Sequence, residues 1–212
     1  MNKKVIRITT IILLVMILIL TALFMFLCRN QIKSYANALK YETRYKQSQD
    51  PVDLLNEFYF LDETSQYPKR LECAKELNSI INVITAEVLN KSNFAEDFSE
   101  YPHNDPKEFI VCMYLMELLI SKDYDLYVQE YSFYYSEAYS NAKGDTLMYF
   151  QDIAFEVFRR TKDIRIIEST VKAYEQIIDS TKDNEFREFC QRHIDILNEF
   201  LEQATQKETS IN

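Results

Sequence analysis

The sequence predicts an all-α protein, in which a single N-terminal transmembrane helix is followed by antiparallel helical hairpins. Three observations lead to this fold class. An uncharged apolar segment runs from residue 8 to 28, apolar side chains downstream recur at spacings of three and four, and the 212 residues include one glycine and four prolines. Because hairpin turns and phosphate-binding loops depend on glycine, this composition favours helices and excludes a glycine-rich nucleotide-binding motif.

The segment 8–28 has the length of a transmembrane helix. As a helix, its 21 residues would cross roughly 30 Å of hydrocarbon. Basic residues lie on both sides, in the tail 1–7 and at Arg29 and Lys33. A cleaved signal peptide has a shorter apolar core and a small-residue cleavage site, whereas this segment ends in Phe24-Met25-Phe26-Leu27-Cys28. We therefore expect an uncleaved, single-pass anchor in the lipid bilayer.

Two signals disagree about the side of the membrane on which the following domain lies. The short, basic tail 1–7 favours a cytoplasmic N-terminus, with the domain outside. Cys73, Cys112 and Cys190 are an odd number of thiols in apolar helical contexts, which favours a reducing, cytosolic setting. The charge rule receives more weight, so the domain is expected outside, and the cytosolic alternative stays open.

Beyond the anchor, residues 29–50 are predicted to form a helical stalk and residues 51–205 an acidic all-helical domain, with a frayed tail at 206–212. Asp50-Pro51 and Asp105-Pro106 each join an N-cap residue to a proline at the first helical position. Apolar stripes define the remaining helices. The predicted helices are 31–48, 51–63, 68–91, 106–121, 123–142, 145–161, 163–180 and 183–205.

Very short turns separate the C-terminal helices, and each turn has a lysine where a helix ends and an aspartate that can cap the next helix. They are Ser121-Lys122-Asp123, Lys143-Gly144-Asp145, Thr161-Lys162-Asp163 and Thr181-Lys182-Asp183. Two helices per unit give a period of about 40 residues, which is typical of helical-hairpin repeats. In helix and turn length the chain resembles a tetratricopeptide-type solenoid. It lacks that family's Trp, Gly, Tyr, Ala and Pro pattern apart from fragments such as Ala154 with Phe158, and an irregular helical bundle is the alternative.

The connector 92–105 is the one long link in this scheme. It combines the acidic residues Glu96, Asp97, Glu100 and Asp105 with three aromatic residues, Phe94, Phe98 and Tyr101. Such a loop is a candidate contact surface. The alternative is that its aromatic side chains pack back onto the domain.

Residues suited to catalysis or metal binding are few. His103 lies in a turn without ligand-like neighbours, and Cys190 and His193 are three apart on one predicted helix. A structural zinc site needs four ligands, so we interpret the pair as core packing and expect neither metal nor cofactor. The chain has 33 acidic and 24 basic residues, five of which flank the anchor. An acidic domain of this kind repels nucleic acid, so we expect no nucleic-acid partner. Because no catalytic constellation stands out among these residues, we also expect no enzyme activity.

Tyrosine is the strongest functional signal. Tyr124, Tyr127, Tyr131 and Tyr135 occupy the stripe of helix 123–142 where other helices have Leu or Ile, and Tyr134 lies beside them. Because a buried tyrosine needs a partner for its hydroxyl, such a stripe favours a half-wet groove that binds a peptide or a partner helix. The alternative is that tyrosine simply replaces phenylalanine between helices.

Together these features predict a membrane-anchored, non-catalytic, helical-repeat-like domain that binds a protein or peptide partner through the tyrosine stripe. A self-associating structural component of a membrane complex is the alternative. An enzyme with an unrecognised site comes third, because no residue pattern indicates one.

Overall fold

The computed structural model describes residues 16–24, 26, 28–62, 64, 66–101, 104–141 and 144–209, with the backbone alone for 144–151 and 205–209. Within these ranges the chain is all-α and has no strand. The helices are α1 (Met16–Phe24), α2 (Arg29–Ser48), α3 (Pro51–Asp62), α4 (Tyr67–Ser79), α5 (Ala86–Asn90), α6 (Ala95–Glu100), α7 (Pro106–Ile120), α8 (Tyr124–Ser140), α9 (Gly144–Thr161), α10 (Arg165–Ser180) and α11 (Asn184–Thr209), with a 3₁₀ turn at Ile81–Val83.

The predicted anchor lies only partly within the described residues, since 8–15 fall outside them. In the described ranges no single helix is both long and apolar enough to cross a bilayer. The pair α1 and α2 meets the length and composition criteria together, with a bend of 57° between the two helices. The large side chains of α1 are exposed, from Ile17 at 51% to Leu18 at 68%.

The predicted helix 68–91 is wrong, because three shorter elements replace it. Helix α4 stops at Ser79, the 3₁₀ turn follows, and α5 begins after Thr85, whose hydroxyl oxygen accepts a hydrogen bond from Val88 N at 3.3 Å. The β-branched residues here lower helix propensity, and Thr85 offers the backbone a cap instead. The apolar spacing that predicted one helix is therefore shared by a turn and two helices.

The predicted connector 92–105 contains the short helix α6, and its aromatic residues are buried. The rings of Phe98 and Tyr101 meet Phe109 of α7 edge-on, with centroids 5.6 and 5.3 Å apart. Phe94 packs on Phe58 at 6.0 Å. The alternative in which these side chains pack back onto the domain is confirmed. His103 lies outside the described residues.

The helices pack in chain order around one continuous core. Helix α2 packs on α3, α3 on α4 and α4 on α7; α7 then contacts α8 and α9, while α10 contacts α8, α9 and α11. Lys122 and Lys162 close α7 and α9 in the left-handed conformation, with φ of 61° and 57°. Lys122 N donates to Leu119 O at 3.1 Å, and Asp123 N donates to Leu118 O at 2.9 Å, so the turn satisfies the carbonyls that end α7. The solenoid repeat stays a prediction.

Candidate functional site on helix α8

The tyrosine stripe of α8 lies inside the protein. Tyr127, Tyr131 and Tyr135 are completely buried against α10. The expectation that the stripe lines a half-wet groove is therefore corrected for these three side chains. A partner could reach them only if α8 and α10 separated.

An internal hydroxyl network makes this burial possible. Tyr131 donates to the hydroxyl of Tyr174 on α10 at 3.0 Å, and Tyr174 donates to the hydroxyl of Tyr135 at 3.4 Å. The hydroxyls of Tyr127 and Thr170 lie 3.1 Å apart. These five side chains, which we call the tyrosine cluster, hydrogen-bond to one another, and burial raises the pKa of Tyr131 and of Tyr174 well above the ordinary tyrosine value.

Tyr124 is half-buried and holds the turn between α9 and α10. Its hydroxyl donates to Asp163 Oδ2 at 2.9 Å, and the guanidinium of Arg165 lies 5.2 Å from the centre of its ring. Hydrogen bonds from Arg165 keep the pKa of Asp163 well below its ordinary value, whereas burial raises the pKa of Tyr124 to about 12. These contacts give Tyr124 a structural role at one end of α8.

Tyr134 is the predicted site residue that reaches an open surface. It is half-buried, and its hydroxyl donates to Asn78 Oδ1 of α4 at 3.0 Å. Its ring meets the neighbouring Phe133 edge-on, with centroids 5.1 Å apart. Phe133 itself is 61% exposed, although it is a large apolar side chain in the middle of a helix that packs on its neighbours.

Phe133 and Tyr134 border a groove of about 360 Å³ between the 3₁₀ turn, α7 and α8, which we call the Phe133 groove. Its apolar lining also includes Ile81, Val111 and Ala138. Polar residues stand around this lining: Asn82, Asp105, Lys107, Glu108, Glu137 and Asn141. An apolar floor with a polar rim is the usual composition of a protein-binding groove.

A second groove of about 460 Å³ lies on the other side of Phe133, between α8 and α10. Its lining is mostly small and polar, with Ser136 and Ser140 of α8 opposite Gln176 and Ser180 of α10. Ser132 closes its floor, because its hydroxyl contacts Ala173 O at 3.0 Å. Phe133 thus stands as a ridge between an apolar groove and a hydroxyl-lined one.

A third cavity, of about 270 Å³, lies between α2, α3 and α4. Lys69 Nζ pairs there with Glu42, and it lies 3.6 Å from Glu57 Oε1. Glu57 is 5% exposed, and its burial raises the pKa of the carboxyl to about 7. We call this cavity, with Glu42, Glu57 and Lys69 in its lining, the acidic cleft.

Glu117 is a completely buried carboxylate on α7. Its Oε1 lies 2.6 Å from Arg70 Nη2 of α4, and Arg70 also pairs with Asp62. Neither Glu117 oxygen has a hydrogen bond of good geometry among the described residues, and burial raises its pKa to about 7. Asp62, Arg70 and Glu117 form the ion-pair cluster, which holds α4 against α7.

Cys190 and His193 lie in the packing between α10 and α11. Cys190 is completely buried, and burial raises its thiol pKa to about 12, so little thiolate forms near neutral pH. The His193 ring stacks on Tyr174 at 5.6 Å and contacts Phe189 edge-on at 4.5 Å, and burial lowers its pKa. Within the described ranges no group of three or more metal-binding side chains comes together.

Sequence reasoning missed Phe133, although a signal for it existed. Phe133 lies two positions after Tyr131 and two before Tyr135, so it points away from the buried stripe of the same helix. An aromatic residue out of phase with its stripe is the pattern of an exposed anchor.

No protein-family model matches the chain, and neither a curated protein nor a solved structure matches it significantly.

Proposed function

We propose that this protein is a membrane-anchored, non-catalytic helical domain that binds a protein partner in the Phe133 groove. The observation that carries the proposal is Phe133, which is 61% exposed beside Tyr134 at the edge of an apolar groove of about 360 Å³. Exposed aromatic residues next to a pocket are favoured as binding anchors, since they contribute large contact area with few rotatable bonds. The tetratricopeptide-like arrangement of α7 to α11 belongs to the same proposal.

The groove indicates the chemistry of its occupant. Its floor accepts apolar side chains, and Asp105 and Glu137 place negative charge at its rim. Lys107, the basic residue of the rim, donates to Asn82 Oδ1 at 2.8 Å. A helix or extended segment with an apolar anchor and basic flanking residues complements this surface in shape and charge.

Photo-crosslinking in cells tests this proposal. The photoreactive residue p-benzoylphenylalanine replaces Phe133 in one variant and Ile196, which is 54% exposed on α11, in a matched control. We expect a discrete crosslinked product from position 133 and none from position 196. Equal crosslinking from both positions would overturn the Phe133 groove as the binding site.

Charge reversal sharpens the test. Glu137 is exposed at the rim of the groove, so Glu137→Lys changes the charge there without touching the core. We expect the yield of the crosslinked product from position 133 to fall severalfold, because the partner segment is proposed to be basic. An unchanged yield would contradict a basic partner.

The alternative function is self-association, in which the groove binds a second copy and organises a membrane complex. The same exposed apolar edge supports it, since unpaired aromatic surface also drives homodimers. The crosslinked product distinguishes the two proposals, because a product of twice the chain's mass with only its own peptides identifies a second copy.

A further inference from the structure

Helix α2 presents three different faces along its length. Ser34, Ala38 and Tyr45 are buried, and this face packs on α3. A second face is apolar but exposed, with Ile32 at 53%, Leu39 at 40% and Tyr35 at 37%. These three residues recur at spacings of three and four, so they form one stripe. Lys69 Nζ lies 6.0 Å from the centre of the Tyr35 ring, and the stripe is otherwise exposed to solvent.

The third face of α2 is basic. Arg29, Lys33 and Lys40 recur at spacings of four and seven, so they lie in a line beside the apolar stripe, and all three are exposed. Neither Arg29 nor Lys33 forms an ion pair with any residue that the structure describes. Glu42, the single acidic residue of α2, is already bound by Lys46 at 2.7 Å and by Lys69.

This combination selects an anionic bilayer surface over a second copy of the chain. If two α2 helices paired antiparallel on their apolar stripes, their basic lines would lie on the same side of the pair and repel. An interfacial helix instead places an apolar stripe at the acyl boundary and its lysines and arginines among lipid phosphates. The positive charge of α2 is also opposite in sign to the net charge of −9 on the whole chain.

The position of α2 in the chain, directly after the predicted anchor, places it close enough to reach the surface of the bilayer. Ile32 to Leu39 begin four residues after Cys28, which is roughly 6 to 17 Å along a helix and within reach of the headgroup region. The bend of 57° after α1 turns α2 away from the axis of that helix. If α1 follows the membrane normal, α2 therefore runs closer to the plane of the membrane than to its normal.

We propose that the first half of α2 lies on the membrane surface, with Ile32, Tyr35 and Leu39 at the acyl boundary and Arg29, Lys33 and Lys40 on anionic headgroups. The proposal rests on the proposed membrane anchor but is independent of the Phe133 groove. It replaces the predicted stalk with a helix that fixes the height and orientation of the domain at the bilayer.

Spin-label accessibility in the full-length protein tests this inference. A nitroxide is attached at Leu39→Cys in one variant and at Ile196→Cys in a matched control, both with Cys28→Ser so that the remaining cysteines are the buried ones. Each variant is reconstituted in phosphatidylcholine nanodiscs with and without phosphatidylglycerol. With phosphatidylglycerol, we expect the Leu39 label to be at least about twofold more accessible to oxygen, relative to an aqueous nickel chelate, than the Ile196 label.

Charge variants identify the lipid chemistry. Lys33→Glu with Lys40→Glu should return the Leu39 label to the value of the Ile196 label. Lys172→Glu with Lys182→Glu makes the same charge change at exposed positions of α10 and the turn that follows it, and should leave the label unchanged.

Three results would overturn the inference. The first is a Leu39 label as open to the nickel chelate as the Ile196 label, and the second is equal protection with and without phosphatidylglycerol. The third is spin–spin broadening at Leu39, which would identify a second copy as the occupant. Loss of the protein from the bilayer in a carbonate wash would instead overturn the anchor itself, and this inference with it.

Discussion

The tyrosine cluster between α8 and α10 and the ion-pair cluster between α4 and α7 both bury polar atoms in one core. In the tyrosine cluster, neutral hydroxyls hydrogen-bond to one another, with Tyr174 bonded to Tyr131 and to Tyr135. In the ion-pair cluster, the charged Glu117 depends on Arg70 and has no hydrogen bond of good geometry among the described residues. Buried neutral groups need only each other, whereas buried charges remain costly even when they are paired.

The largest effect of a substitution is expected when one charge is removed from the ion-pair cluster. We expect Arg70→Met to lower the free energy of unfolding at pH 7.5 by about 3 to 5 kcal/mol, because it leaves the Glu117 carboxylate buried without a counter-charge. Urea unfolding followed by circular dichroism measures the loss. Arg70→Met with Glu117→Met should recover most of it, and a single variant that loses less than about 1 kcal/mol would contradict a costly buried charge.

The pH dependence of stability distinguishes the buried carboxyls Glu57 and Glu117 from the tyrosine cluster without a substitution. The folded pKa of Glu57 and of Glu117 is raised to about 7 from 4.5, so their contribution to stability is complete below about pH 4.5 and lost as the pH rises through about 7. For the two carboxyls together, we expect the free energy of unfolding to rise by roughly 5 kcal/mol from pH 7.5 to pH 5, before the offset from His193. Urea titrations at several pH values measure this change.

His193 changes the free energy of unfolding in the opposite direction between pH 7.5 and pH 5. Burial lowers the pKa of His193, so its protonation in the unfolded state offsets part of the gain below about pH 6.5. Glu57→Gln with Glu117→Gln should therefore abolish the rise in stability on acidification. If the rise survives in that variant, the pH dependence comes from other groups.

A substitution in the tyrosine cluster should lower the free energy of unfolding less than Arg70→Met does. We expect Tyr174→Phe to lower the free energy of unfolding by about 1 to 3 kcal/mol, because Tyr131 loses its acceptor and Tyr135 loses a donor inside the core. Thermal and urea unfolding give the value, and the loss should be the same at pH 5 and pH 7.5. The triple change of Tyr131, Tyr135 and Tyr174 to phenylalanine should cost less than the single change, since it leaves fewer unmatched hydroxyls.

The smallest expected effect concerns the turn that joins the two regions. Lys122 has a φ of 61° between α7 and α8, a conformation that favours glycine. We expect Lys122→Gly to raise the free energy of unfolding by about 0.5 kcal/mol, and Lys122→Ala to give no increase. An equal gain from both variants would show that the backbone conformation is not the cause.

The predictability of the fold follows from the range of the interactions that fix each part. Helices α3 and α7 were predictable from Asp-Pro pairs that act within one turn, and for α7 Asp105 accepts a hydrogen bond from Lys107 N at 2.9 Å. Helix 68–91 was not, because its apolar spacing hid the cap at Thr85. Helix α6 was missed although Phe94, Phe98 and Tyr101 have helical spacing.

The candidate site was harder to predict, since its geometry depends on contacts between distant residues. The tyrosine stripe was visible in the sequence, but its hydrogen-bond partners Thr170 and Tyr174 lie 43 positions from Tyr127 and Tyr131. Arg70 and Glu117 are likewise on separate helices, and only the position of Glu117 in an apolar run marked it as unusual. Burial of a polar side chain can be suspected from sequence, whereas its partner requires the fold.

The tyrosine cluster also gives the protein an internal optical reporter. The chain has no tryptophan, and the rings of Tyr131, Tyr135 and Tyr174 pack with centroids 5.3 to 5.7 Å apart. Near-ultraviolet circular dichroism depends on fixed aromatic packing, whereas the far-ultraviolet signal depends on helix content. Separation of α8 from α10 would therefore reduce the tyrosine band while the helical signal persists, so that an opening of this interface can be followed without any added label.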